Sequence, residues 1–295
     1  MNGDRRRARA ELYLFLITFV WGSTFVVTKE LLSSITPFVY IAVRFSAAAL
    51  LFGLLSYRSL LAWNRSTVIK GGILGLLLFA GFALQTLGLQ STSASKSAFI
   101  TGMLVVFTPL WQVALERRMP KPGSLLGVAF VMVGLYFLTS PSGSGFALGD
   151  VLTLGCALLF GLYIVFLDMF GETESASKLT MAQFVVAGLL SAGLAALTEP
   201  LRLALPAAAV GELAYLVVFA TIVALYVQTR YQKDSTPTRS AVIFSLEPVI
   251  AAVFAYFVAN EILGLSGWTG AALIMTGLLV SEFSDRIFRP GNGEK

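Results

Sequence analysis

The 295-residue chain contains no histidine and a single cysteine, Cys156. Without histidine, the commonest general base and the commonest metal ligand are missing. One cysteine closes no internal disulfide and builds no metal cluster. Charge is scarce as well. Asp, Glu, Lys and Arg supply 13% of the residues, against about 25% in an ordinary soluble protein. So few charges cannot clothe a soluble surface of this size, which excludes a soluble globular enzyme, a disordered chain and a nucleic-acid-binding domain. Gly143-Ser144-Gly145 is no phosphate loop, since no Lys-Ser/Thr follows it and no strand–helix unit surrounds it. A nucleophile elbow and a His/Asp/Glu cluster at metal spacing are also missing. No enzymatic activity, cofactor or metal is therefore expected.

What is present is apolar. Hydrophobic residues make up 57% of the chain, and the mean hydropathy is +0.82. A bilayer crossing takes roughly 20 apolar residues in a helix. Ten such stretches are visible: Leu12–Leu31, Pro37–Tyr57, Val68–Leu89, Ser97–Leu115, Gly123–Leu138, Gly149–Leu167, Leu179–Leu197, Gly211–Thr229, Ser240–Ala259 and Leu265–Val280. They are continuous runs without the alternation of a barrel strand, so the expected fold is an all-α integral membrane protein. The basic start at Arg5, Arg6, Arg7 and Arg9 resembles a signal peptide. The apolar run behind it is longer than a typical leader core, and no small-x-small site closes it. It reads as a first transmembrane helix.

Short cytoplasmic loops collect Lys and Arg. With the N-terminus inside and ten crossings, 17 basic residues fall on inner segments and 3 (Lys29, Lys96 and Arg202) on outer ones. Arg44 lies within a span. The net charge of +5 is thus mainly an orientation signal. It implies a multi-pass protein of the plasma (inner) membrane with both termini cytoplasmic. The segment carrying Lys178 is the weakest part of this pattern, because Asp168, Glu172 and Glu174 accompany it.

The two halves of the chain repeat one another. Trp21-Gly22 matches Phe160-Gly161, and Arg44-Phe45 matches Gln183-Phe184, both at an offset of 139. Beyond one insertion the offset is 143: Gln85-Thr86 matches Gln228-Thr229, Ser95-Lys96-Ser97-Ala98 matches Thr238-Arg239-Ser240-Ala241, and Gly127 and Gly134 match Gly270 and Gly277. Five spans per half is an odd number, so the second half enters the membrane from the opposite side. The expected architecture is two inverted five-helix repeats, 1–140 and 149–284, joined by a connector at 141–148 and followed by a cytoplasmic tail at 285–295. Secondary transporters use this plan, with the substrate near the midplane between the halves.

Several short motifs sharpen the picture. They are Trp21-Gly22-Ser23, Pro37 with Arg44, Ser93-Ala94-Ser95-Lys96-Ser97-Ala98, Glu247-Pro248, and Glu261 followed by Gly270 and Gly277. Over nearly the whole length the chain resembles the EamA-type exporters of the drug/metabolite transporter superfamily. That resemblance implies export of small metabolites, often amino acids; one branch, the YddG-like proteins, is linked to aromatic amino acids. One departure stands out. Thr108-Pro109 lies four residues beyond the position matching Glu247-Pro248, which sets the fourth and ninth helices apart.

Ionisable residues within spans default to function. Arg44 reads either as a contact for a substrate carboxylate or as a residue snorkelling to the outer interface. Glu247 lies near mid-depth beside a proline that removes a backbone hydrogen bond, a setting for a substrate ammonium or a proton. Gln85, with its repeat partner Gln228, supplies amide groups that either line a path or join helices. Trp21, Phe82 and Phe107 lie away from the span ends, and Tyr163 and Tyr226 about a turn inside theirs. Trp21, Arg44, Phe82, Gln85, Tyr163, Tyr226 and Glu247 are the expected substrate-binding residues. Lys96 and Arg239 read as boundary anchors, and the glycines of the third span as close-packing positions. The expected function is a secondary transporter exporting amino acids by alternating access, with proton coupling through Glu247 left open and a monomer or weak dimer as the unit. Efflux of hydrophobic cations and, from a different class, a multispan membrane enzyme or scaffold are the alternatives. The topology has a direct check. Single cysteines at Ser144 and Asn292 are expected to react with an impermeant thiol reagent from opposite sides of the membrane, and labelling from one side would refute the ten-span arrangement.

Overall fold

The computed structural model describes residues 3–61, 63–117, 119–139, 147–200, 206–259 and 264–287. Ser144 and most of the connector, Arg118, Arg202, Glu261, and the tail from 288 on, with Asn292, lie outside the described residues.

The described residues form helices and no strands. In chain order these are α1 (Gly3–Leu31), α2 (Pro37–Ser56), α3 (Arg65–Ser91), α4 (Ala94–Gly102), α5 (Leu104–Glu116), α6 (Pro122–Thr139), α7 (Leu148–Gly171), α8 (Ala176–Thr198), α9 (Ala207–Tyr215), a π-helical turn at Leu216–Val223, α10 (Ala224–Tyr231), α11 (Pro237–Phe244), α12 (Glu247–Ala259) and α13 (Leu265–Ile287). Joined end to end, α4–α5, α9–π–α10 and α11–α12 each make one crossing, so the fold is a ten-helix membrane protein. Eight crossings are long and apolar enough to span a bilayer, and Pro122–Phe137 and Leu265–Ser281 are shorter apolar helices. Large apolar side chains such as Leu54, Leu55, Leu197 and Phe257 face outward, which a bilayer accepts and water does not. Hydroxyls within the spans bond back to their own helix, as Thr18 does to the Leu14 carbonyl, Thr153 to Gly149 and Ser191 to Ala187. Each such bond supplies a partner that the hydrocarbon cannot.

The repeat is visible in how the helices touch. A Cβ on Gly127 would meet the Gly277 carbonyl at 2.7 Å, and one on Gly134 would meet the Gly270 carbonyl at 2.7 Å. In the sequence Gly127 corresponds to Gly270 and Gly134 to Gly277, so α6 and α13 cross with their glycines exchanged, as a two-fold axis requires. The same exchange relates two further contacts. Gly22 lies against Ile250, and Gly161 lies against Phe107, where Gly161 is the repeat partner of Gly22 and Ile250 that of Phe107. Four of the five glycines of α3 also serve close approach. Gly71 abuts Ala182, Gly75 abuts Val186, Gly81 abuts Phe160 and Gly88 abuts Thr153.

The fourth and ninth helices differ in where their prolines fall. Both are nevertheless broken, within one residue of matching places. Met103 adopts φ −63°, ψ −8° and Ser245 adopts φ −66°, ψ −4°, a tight turn that ends one helical segment and starts the next. The two breaks abut, since a Cβ on Gly102 would stand 3.0 Å from Pro248 Cγ. Pro248 therefore does not loosen a continuous helix. It sits in the first turn of α12, where its missing N–H costs nothing. Pro109 lies within α5, past the break.

The acidic loop between α7 and α8 is also resolved. Glu174 accepts hydrogen bonds from Ser66 and Thr67 and pairs with Lys70 at 3.0 Å. The two hydroxyls, with Lys70, hold its carboxyl at about 2, below the usual carboxylate range. Its charge is thus neutralised locally by the start of α3.

The α6–α13 contact predicts a stability effect. Gly134→Leu forces a side chain onto the α13 backbone and is expected to cost about 1–3 kcal/mol, read as a lower melting temperature in detergent. Gly72→Ala, where nothing lies within 4 Å of the added carbon, is expected to leave it unchanged. Equal melting temperatures for the two variants would contradict the close-approach role.

Candidate functional site

A cavity of about 560 Å³, partly continuous with solvent, lies where the two repeats meet. Its walls come from α1, α2, α3, the α4–α5 break, α7, α10 and the α11–α12 break. Six of the seven expected site residues line it: Trp21, Arg44, Phe82, Gln85, Tyr163 and Glu247.

Tyr226 does not. It is half-buried, and its ring packs on Phe52 with centroids 5.5 Å apart. Its neighbour Leu225 takes the place on the wall. One residue is a rotation of about 100° on a helix, enough to turn a side chain from the path into the packing.

The lining shows the repeat more clearly than the fold does. Trp21 faces its partner Phe160, and Thr24 its partner Tyr163, at an offset of 139. Phe82 pairs with Leu225, Gln85 with Gln228, Thr101 with Phe244 and Leu104 with Glu247, all at 143. The cavity thus sits on the pseudo-two-fold axis. Phe160, Thr24, Leu225, Thr101, Leu104 and Phe244 were not among the expected site residues. The offsets that relate the repeats point to Phe160, Leu225 and Leu104 as partners of Trp21, Phe82 and Glu247.

Charge enters where the symmetry fails. Glu247 corresponds to Leu104, and Arg44 corresponds to Gln183. Arg44 is 2% exposed, so it does not snorkel to the interface. Its guanidinium donates to Thr221 Oγ1 at 2.6 Å, Tyr40 Oη at 2.8 Å and the Ala220 carbonyl at 3.4 Å. It also stacks over Phe82, with Cζ 4.7 Å from the ring centroid. All of these acceptors are neutral, so the hydrogen bonds orient the cation without cancelling its charge. The π-helical turn makes this arrangement. It places Ala220 and Thr221 side by side, and Thr221 reaches five residues back to the Leu216 carbonyl. The Ala220 carbonyl accepts from Trp21 Nε1 at 3.1 Å as well. Insertions of this kind gather at functional positions in helices.

Glu247 is 9% exposed and stands at the start of α12, beside the break. The positive end of a helix dipole favours a carboxylate there. Among the described residues no side chain bonds to it by hydrogen bond or ion pair. The remaining polar lining residues are committed to neighbours. Gln85 donates to Thr101 at 3.2 Å, Gln228 donates to Gln232 at 2.9 Å, and Tyr163 donates to Gln183 at 2.6 Å. The glutamines therefore line the cavity and join protein groups at once. Phe82 and Phe160 meet edge to face at 5.5 Å and form an aromatic part of the wall. Among the described residues no group of three His, Cys, Asp or Glu side chains could hold a metal.

Comparison with known proteins adds the family. The model of the EamA-like transporter family matches residues 8–140 and again 147–283. The chain is similar to an uncharacterized transporter of Archaeoglobus fulgidus, at 34% identity over 93% of this chain and 86% of that one. It is similar to a probable amino-acid metabolite efflux pump of Escherichia coli at 28% identity, over 92% of this chain and 94% of that one. An S-adenosylmethionine/S-adenosylhomocysteine transporter of Chlamydia muridarum is 25% identical over 84% of this chain and 83% of its own. A solved crystal structure superposes with a TM-score of 0.79 at 19% identity, over 96% of this chain and 99% of that one, which shows the shared fold.

Arg44 is a buried cation that pairs with no carboxylate among the described residues, and such a group costs stability. If it is kept for a ligand, Arg44→Met is expected to leave the melting temperature unchanged or raise it. A fall of about 5 °C or more would assign Arg44 to structure instead.

Proposed function

This chain belongs to the EamA-like transporter family, and on that premise we propose that it exports amino acids with aromatic or other apolar side chains. It is a multi-span membrane transporter, in a family of transporters and not enzymes. One observation carries the substrate class. A buried arginine and a buried glutamate line the same cavity, each without an opposite charge bonded to it among the described residues. A zwitterion brings both missing charges. Its carboxylate meets Arg44, whose planar fork suits a carboxylate bidentately, and its ammonium meets Glu247. The side chain then lies against Trp21, Phe82, Phe160 and Phe244, where burial of apolar surface stabilises it by about 25 cal/mol per Å².

The named relatives fit this chemistry. Amino-acid metabolites and S-adenosylmethionine both carry an α-amino-acid end. A hydrophobic cation would find Glu247 but would also meet the positive charge of Arg44, which argues against the drug-efflux alternative.

Transport follows from the repeat. Residues 1–140 and 149–284 are the two repeats, and exchange of conformation between them would open the cavity to each side in turn. Both termini lie in the cytoplasm on this reading, as the distribution of basic residues supports. The chain carries no nucleotide-binding segment, so a substrate or ion gradient would drive the cycle. A proton taken up by Glu247 is the coupling step this site can supply.

Counterflow of labelled amino acids in proteoliposomes, run beside a panel of cationic dyes, tests the proposal. Uptake of phenylalanine-like amino acids without dye uptake is the expected result. Dye uptake alone would replace the zwitterion with a cation. Glu247→Gln keeps the shape and the hydrogen bonding but removes the ionisation. It is expected to lower counterflow about tenfold or more, the loss of one charge-assisted contact, to flatten any pH dependence, and to leave the protein monodisperse. Parental rates with the parental pH profile would refute an ionisable role.

A further inference from the structure

Lys96 and Arg239 are repeat partners, and the structure gives them repeat-related counter-ions. Lys96 Nζ lies 2.6 Å from Asp150 Oδ2, and Arg239 Nε lies 2.7 Å from Glu11 Oε1. Asp150 is the partner of Glu11 at the same offset of 139 that relates Trp21 to Phe160. Each ion pair therefore joins one repeat to the other.

The surroundings match as well. Thr92 donates to Asp150 at 2.7 Å, and Ser235, the partner of Thr92, donates to Glu11 at 3.1 Å. Ser93 caps α4 by accepting from the Lys96 N–H, and its partner Thr236 caps α11 by accepting from the Arg239 N–H. Asp150 is fully buried and Arg239 is 2% exposed, which goes against simple boundary anchors reaching for water.

The two clusters stand at opposite ends of the bundle. Glu11 belongs to one, and Lys29, further along α1, donates to the Leu89 and Thr92 carbonyls at the other. Eighteen residues of one helix separate Glu11 from Lys29, about 27 Å at 1.5 Å per residue. Trp21 and Thr24 line the cavity from the stretch of α1 between them. Each cluster also ties the helix that leads into one of the two breaks: α4 precedes Met103, and α11 precedes Ser245 and Glu247.

We infer that these two clusters are opposing clamps of the transport path: Lys96–Asp150 with Thr92 closes one face, Arg239–Glu11 with Ser235 closes the other, and each opens in turn. Both ion pairs are formed here. Charge-assisted hydrogen bonds between bodies suit this role, because they are strong when formed and are replaced by water when the face opens. The inference rests on the alternating-access reading but not on the identity of the substrate.

Its test therefore uses accessibility without substrate. A single cysteine at Thr24, in a Cys156→Ala background, is labelled in vesicles by an impermeant maleimide applied from either face. Lys96→Met is expected to raise the labelling rate about tenfold from the Lys96 face only, the effect of one lost charge-assisted contact. Arg239→Met is expected to do the same from the opposite face. The exchanged pair Lys96→Asp with Asp150→Lys is expected to restore the parental rate. Unchanged labelling, or increases from the same face in both variants, overturns the clamps. Variants that fail to fold both singly and exchanged assign the ion pairs to structure and overturn them too. If labelling responds as expected while amino-acid counterflow is absent, the clamps stand and the substrate class falls.

Discussion

Five crossings are an odd number, and two copies of a five-crossing unit in one chain must enter the bilayer from opposite sides. From that constraint follows a two-fold axis in the plane of the membrane, and most of what the molecule does is arranged about it. Helices that meet their own repeat partners across the axis need self-complementary surfaces. Gly127 and Gly134 on one side and Gly277 and Gly270 on the other provide one, since backbone against backbone is self-complementary without any particular side chain. The same relation places the breaks of α4–α5 and α11–α12 against each other. The cavity between the halves is thereby bounded in part by these helix breaks.

A cavity on a two-fold axis is, to first order, lined twice by the same residues. Such a lining has no polarity and would hold a symmetric ligand as well as any other. This chain departs from symmetry where charge is needed, with Glu247 in place of Leu104 and Arg44 in place of Gln183. The pairs Trp21 with Phe160 and Gln85 with Gln228 stay close to symmetric. The division is physically sensible. Apolar contacts are non-directional and tolerate a two-fold wall, whereas an asymmetric head group can be oriented only by unlike charges on unlike sides.

The polar groups outside the cavity keep the symmetry instead. Two ion pairs sit toward the two ends of α1, each joining an acid, a base and a hydroxyl in the same relative positions, with Arg7 as a second base on Glu11 at 3.1 Å. In a low-dielectric setting an unpaired member of either set would be costly, so each pair is strongly biased to be fully made or fully open to water. That is the property an interface with two discrete positions needs.

Much of this architecture was legible in the sequence. Hydrocarbon thickness dictates the length of each apolar run, so the number of crossings and their approximate ends follow from composition alone. The repeat was legible because inserting four residues between the seventh and eighth spans leaves every other spacing intact. Six lining residues were recognisable because charged, amide and aromatic side chains far from span ends are uncommon. Tertiary structure decided the rest. Tyr226 and Leu225 differ by a single helical position, and it is the packing of Tyr226 on Phe52 that leaves Leu225 on the wall. The break at Met103 has no proline to announce it, and the neighbouring Gly102 lies against Pro248 of the other repeat. The snorkelling alternative for Arg44 failed because a π-turn 176 residues away supplies the Ala220 carbonyl, beside Thr221, as acceptors within the bundle. Lys96 and Arg239 look like interface anchors until Asp150 and Glu11 are brought beside them, and only the approach of one repeat to the other does that. Local chemistry and membrane thickness are written along the chain, whereas partners across the two-fold axis exist only once the halves have met.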